Sequence, residues 1–132
     1  MLRVHSPLTE REEEVYSQVM DCAFAVHREL GPGFKERIYE EALCLKLNAR
    51  GIGFEREKKI DVRYKAWTIP GQRIDLVVEG LVLVEIKAVS KLTRIYERQV
   101  RSYLKTMGLR AGMLVNFNVL MLKNGMRRIL QT

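Results

Sequence analysis

The sequence predicts an α/β protein in which a mixed central sheet is flanked by helices. Three observations carry this. Two segments within the first fifty residues space their apolar residues helically and end at glycine. Two apolar, β-branched runs, 74–78 and 81–86, flank a Glu79-Gly80 turn signal and read as a β-hairpin. A third helical pattern separates that hairpin from the apolar run 111–117, which should therefore return parallel to the preceding strand by a right-handed crossover. A length of 132 residues suits one domain with its own core.

In chain order, residues 1–8 should be loosely ordered. Thr9-Glu-Arg-Glu12 is a capping box that opens a helix over 10–30, with Val15, Val19, Cys22, Ala23, Val26 and Leu30 as its apolar stripe. His27 neighbours that stripe and is expected to bond to backbone rather than to act in catalysis. Gly31-Pro-Gly33 precedes a second helix over 35–50, whose apolar arc is Ile38, Tyr39, Ala42, Leu43, Leu45, Leu47 and Ala49. Glu36 projects within that arc, Glu40 lies just beyond its edge and Glu41 faces solvent. Residues 54–67 read as one strand, and Pro70-Gly71 as a turn before the hairpin. Ser90 or Thr93 should cap a third helix ending at Met107, with Leu92, Ile95, Tyr96, Val100, Tyr103, Leu104 and Met107 inward. Gln99 falls in the same arc, while Arg94, Arg98, Arg101 and Lys105 share the outer face. Residues 120–122 and 126–130 suggest a final strand or hairpin.

The hairpin holds the chemistry. Its arms are apolar except for Asp75, Glu85 and Lys87, and a charge set into a buried strand is costly unless paired or bound to metal. Opposed residues of an antiparallel pair share a face. Pairing Asp75 with Glu85 puts Val77 opposite Leu83 and Lys87 on the same side, and leaves the other face wholly apolar. A slip of one residue would separate the carboxylates, so either the loop holds an odd number of residues or a bulge absorbs one. The plainer alternative is a surface hairpin with a Glu85/Lys87 edge pair. A net charge of +7 suits a polyanionic partner. Cys22 and Cys44 lack metal-ligand spacing and read as reduced core residues. With no apolar run long enough to span a membrane and no signal-peptide pattern, a cytoplasmic location is expected.

The order α-α-β-β-β-α-β, with an acidic hairpin before the crossover helix, resembles the PD-(D/E)XK nuclease superfamily, and more closely its GxxExxY family. The naming motif stands as Gly33-Phe-Lys-Glu36-Arg-Ile-Tyr39, and the nuclease motif as Ile74-Asp75 and Glu85-Ile86-Lys87. Gln99-Val-Arg-Ser-Tyr103 follows on the helix, and Asn116-Phe-Asn118 after it. The resemblance implies a restriction-endonuclease-like α-β-β-β-α-β core and Mg²⁺-dependent hydrolysis of phosphodiester bonds in nucleic acid, with DNA the expected substrate and Mn²⁺ an expected substitute. Two carboxylates at hairpin separation offer hard oxygen ligands to Mg²⁺. The resemblance adds the Ile86 carbonyl, and Glu36 directly or through water. Lys87 would orient the attacking water or neutralise transition-state charge. Gln99 and Tyr103 would position the site or the substrate backbone, and Arg73, Arg94, Arg98 and Arg101 would contact phosphates. Sequence specificity would need a homodimer or a partner chain. The alternative is a non-catalytic nucleic-acid-binding or assembly module that keeps the fold.

Overall fold

The computed structural model describes residues 6–131. Helix α1 (Glu10–Leu30) and helix α2 (Glu36–Ala49) lead into strands β1 (Phe54–Tyr64), β2 (Trp67–Val78) and β3 (Val82–Lys87). Helix α3 (Arg94–Met107) crosses to β4 (Ala111–Asn116), and a 3₁₀ turn (Leu122–Gly125) precedes β5 (Met126–Leu130). The five strands lie in chain order in one mixed sheet. β3 and β4 pair in parallel and every other neighbouring pair is antiparallel. This is the fold class expected from the sequence.

Alternation along the strands divides the core into two layers. Leu76, Val78, Val84, Ile86 and Met113 face α1 and α2, where Val15, Val19, Tyr39 and Leu43 meet them. Val77, Leu83, Leu114 and Ile129 face α3 through Val100 and Leu104. Helix α3 approaches the sheet closely over Gly112, where an added Cβ would stand 2.9 Å from Val100 Cγ1.

Helix α1 starts where the capping box places it. Thr9 Oγ1 accepts from Glu12 N at 3.1 Å, and Glu12 Oε1 accepts from Thr9 N at 2.8 Å. The same carboxylate takes Arg110 Nη2 at 2.7 Å, tying the start of α1 to the start of β4. His27 Nε2 donates to the Val119 carbonyl at 2.8 Å, the backbone bond expected of it.

Several local expectations need correction. Leu8 is buried in the core and Leu8 N donates to Ser6 Oγ, so the expected looseness fails there; for residues 1–5 that expectation lies outside the described residues. Trp67 opens β2 instead of closing β1, because the chain turns at Lys65-Ala66 with Lys65 at φ 55°. Pro70-Gly71 lies inside β2, where pairing jumps from Ile60↔Gln72 to Val62↔Ile69. That is a β-bulge, and it tolerates proline because one residue drops out of the ladder. Leu45 and Ile95 are exposed rather than inward, while Glu40 is buried. Ile74 packs in the α3 layer, not on the apolar face where strict alternation would put it with Leu76 and Val78. Thr93 is the N-cap of α3 without a side-chain bond. Residues 120–122 form no strand, and only β5 survives of the suggested terminal hairpin.

Candidate active site

The β2–β3 ladder is short. It runs through Val78↔Val82, Val77↔Leu83 and Leu76↔Val84, and the loop between the strands is the three residues Glu79-Gly80-Leu81. Glu79 and Gly80 both adopt positive φ, at 52° and 67°. An odd loop sets the register that places Asp75 opposite Glu85.

At that point side chains replace the ladder. Asp75 N donates to Glu85 Oε1 at 3.0 Å, and Ile86 N donates to Asp75 Oδ2 at 2.8 Å. Each carboxylate thus satisfies an amide of the opposite strand and keeps a second oxygen, Asp75 Oδ1 and Glu85 Oε2, outside these bonds. Glu85 is 4% exposed. Burial raises both carboxyls well above the usual carboxylate range. For Glu85 the neighbouring Asp75 charge adds to this, and for Asp75 the charges of Glu40 and Glu36 do; the amide bonds and Lys87 act in the opposite direction.

Lys87 is the cation of the site. Its Nζ lies 3.9 Å from Glu85 Oε2 and 4.9 Å from the centre of the Tyr96 ring. Glu36 opens α2. The residue is exposed, but its carboxyl loses enough solvent to be raised, while Lys87 lowers it and Glu40 raises it. Glu40 stands one turn further on the same face. It is buried, and Arg56 Nε donates to its Oε2 at 2.8 Å. Sequence reasoning left Glu40 at the edge of the arc. Its spacing of four from Glu36 was the available signal.

The Gly33–Tyr39 motif explains how Glu36 is held. The Tyr39 hydroxyl donates to the Gly31 carbonyl at 2.6 Å and accepts from Phe34 N at 3.1 Å. The Tyr39 ring stacks on Phe117 with centroids 4.7 Å apart. A fully buried tyrosine thereby fixes the loop that delivers Glu36, and Gly33 supplies the φ of 108° that the loop requires.

From the α3 side, Tyr103 is hydrogen-bonded to Gln72 Nε2, and the charges of Glu85 and Asp75 reach its hydroxyl. Gln99 Oε1 is buried with no hydrogen-bond partner among the described residues. Arg94, Arg98 and Arg101 are exposed along α3, with Arg101 donating to the Leu130 carbonyl at 3.1 Å. Arg73 is exposed and stands 3.5 Å from Glu57. The expected residues therefore divide into a compact group, Asp75, Glu85, Lys87 and Glu36, a flank of Gln99 and Tyr103, and outlying arginines.

Among the described residues, no three histidine, cysteine or acidic groups form a ready metal cage. Mg²⁺ does not require one, since it is commonly held by one or two carboxylates together with water and substrate phosphate. Asp75 and Glu85, two acids confined together with an oxygen each to spare, fit that donor set.

The family model described as the PD-(D/E)XK nuclease superfamily matches residues 13–129. The chain belongs to the PD-(D/E)XK nuclease superfamily. The mixed sheet with flanking helices is the restriction-endonuclease-like fold of that superfamily. No match was found among curated proteins or among solved structures. Asp75, Glu85 and Lys87 all lie within the residues matched to the PD-(D/E)XK model.

Proposed function

We propose that this PD-(D/E)XK protein is a Mg²⁺-dependent nuclease that hydrolyses phosphodiester bonds in DNA, with Mn²⁺ able to substitute. The observation that carries the reading is the reciprocal bonding of Asp75 and Glu85, which confines two repelling carboxyls beside Lys87. Asp75 Oδ1, Glu85 Oε2 and the Ile86 carbonyl would hold the ion, with Glu36 reaching it directly or through water. When bound, the ion polarises the scissile phosphate and lowers the pKa of a bound water.

The chain's own residues do the rest. Lys87, set between Glu85 and the Tyr96 face, orients the attacking water or neutralises charge on the phosphate in the transition state. Gln99 Oε1 has a free acceptor to offer water or substrate, and Tyr103, fixed by Gln72, supports the same wall. Arg73, Arg94, Arg98 and Arg101 contact phosphates along the approach.

Within the superfamily we assign the chain to the GxxExxY group, supported by the part Tyr39 plays in holding Glu36. Free, buried Cys22 and Cys44 agree with a reducing, cytoplasmic setting. A homodimer or a partner chain would supply sequence specificity. The net charge of +7 and the exposed arginines of α3 serve binding without chemistry and favour one second reading, a non-catalytic nucleic-acid-binding or assembly module.

One experiment separates the two. Purified protein is incubated with single-stranded, duplex and branched DNA and with RNA, in Mg²⁺, Mn²⁺ or EDTA. Metal-dependent products that vanish in Asp75→Asn and Glu85→Gln support the nuclease. Binding without products on any substrate overturns it in favour of the module.

A further inference from the structure

Strands β1 and β2 outrun the sheet. β3 pairs β2 only over Leu76–Val78, whereas the β1–β2 ribbon continues to Tyr64↔Trp67, where both strands are exposed. The cross-strand pairs Val62↔Ile69 and Tyr64↔Trp67 share one face of this arm. All four residues are solvent-exposed, Trp67 at 63% and Tyr64 at 57%, and the two rings stack 20° from parallel. Water-exposed apolar and aromatic side chains concentrated at one tip mark an interaction surface.

Charge decides the partner. Beyond the Arg73–Glu57 pair, the arm carries Lys59, Arg63 and Lys65 against the single carboxylate of Asp61. Arg63 pairs with Thr68 on the other face. Both, with Asp61 and with Val62 of the aromatic face, line a groove of about 620 Å³ against Ser102, Lys105 and Thr106 of α3, so the groove draws on both faces of the arm. Cations in a groove beside exposed rings form a surface for single-stranded nucleic acid, with phosphates in the groove and bases on the aromatics.

Resting on the nuclease reading, we infer that the β1–β2 arm binds an unpaired strand of the substrate, bases stacked on Trp67 and Tyr64 and phosphates against Arg63 and Lys105. Eight residues of strand separate Trp67 from Asp75, a reach of about 26 Å. Stacked nucleotides rise roughly 3.4 Å each and an extended unpaired strand covers about twice that, so a segment of about four to eight nucleotides spans the arm. The preferred substrate is thus a duplex with a single-stranded tail, or a single strand, rather than blunt duplex.

Trp67 is the chain's one tryptophan, so its fluorescence reports on the arm alone. Emission is followed in EDTA, where the nuclease reading predicts no cleavage, on titration with blunt duplex, single strands and duplexes tailed by two to twelve nucleotides. Quenching by single strands and by tails longer than about four to eight nucleotides, weakened by salt, is the expected result. In anisotropy titrations of labelled tailed duplex, Trp67→Ala should bind roughly 5- to 150-fold more weakly, Trp67→Phe should restore most of the affinity, and Arg63→Ala should weaken it and flatten its salt dependence. Equal quenching by blunt duplex, or none by any oligonucleotide, overturns the arm's role even if metal-dependent cleavage is intact. An emission shift that tracks protein concentration without nucleic acid also overturns it, because a second copy of the chain then covers the tip. Loss of cleavage with quenching retained would remove the nuclease reading and leave the arm.

Discussion

On the nuclease reading, Asp75 and Glu85 answer to two demands, because an acceptor for a backbone amide need not be charged but a metal ligand must be. Their charges therefore carry a stability penalty in the metal-free protein. Both carboxyls hold protons to higher pH in the folded state than in the unfolded chain, so the folded state binds more protons. Metal-free stability should accordingly be fullest below the ordinary carboxylate pKa of about 4 and fall as pH rises from there through neutrality. Thermal melts in EDTA from pH 4 to 8 test the sign. Mg²⁺ needs the ionised forms, so the stabilisation it adds should be larger at neutral than at mildly acidic pH. Asp75→Asn and Glu85→Gln should melt at or above wild type without metal and lose the Mg²⁺-induced shift. Lys87→Ala should keep that shift while cleavage falls by about 10²–10³-fold. Identical metal responses in all four proteins would exclude the two acids as the metal site.

At the scale of elements, two contacts set how helices meet the sheet. Gly112 lets Val100 and Leu104 of α3 rest directly on β4. Gly112→Ala should destabilise by about 1–3 kcal/mol through overpacking. It should also reduce cleavage, because α3 carries Gln99 and Tyr103; chemical denaturation and an activity assay measure the two effects. Glu12 ties α1 to β4 through Arg110, whose hydrogen bond is the chief reason the Glu12 carboxyl titrates below the usual range. A carboxyl lowered by folding stabilises above its unfolded pKa and loses that contribution as pH falls through the folded value. The gap in melting temperature between wild type and Glu12→Gln should be widest at neutral pH and close in acid. These elements also show what the sequence made legible. Period-two apolar alternation fixed the Asp75/Glu85 register, and the capping box fixed the start of α1, because both signals are local. Pro70-Gly71 reads as a turn yet forms a bulge, because the same residue types serve both. The true turn at Lys65-Ala66 has no glycine or asparagine to announce it. Glu40 eluded the helical pattern because only Arg56, sixteen residues away, makes its burial tolerable.

For the whole molecule, the net charge of +7 and the exposed cations of α3 bear on affinity for a polyanion. Neutralised phosphates release counterions, so binding of DNA should weaken steeply and linearly in log–log terms with salt. Arg94→Ala and Arg98→Ala should each lower that slope by about 1 without changing which sequences bind. Fluorescence anisotropy at several salt concentrations measures it, and unchanged slopes would remove α3 from the contact surface. No described helix is long and apolar enough to cross a membrane. The arm and the α3 face contributed little to sequence reasoning because lone exposed aromatics and basic stripes are ordinary surface features. Only pairing across the ribbon turns Tyr64 and Trp67 into one surface.

The crossed amide bonds of Asp75 and Glu85 have an evolutionary consequence. Asparagine at 75 and glutamine at 85 would keep an oxygen for the same amide while ending the repulsion, and each lies a single nucleotide change from the acid. A lineage released from selection for cleavage would gain stability by taking either step, the usual direction of exchange between activity and robustness. Catalytic and purely binding descendants of this hairpin would then differ by one atom type at one position, with fold, arm and basic face unaltered. That both positions are acids in this chain is what continued selection for chemistry would preserve.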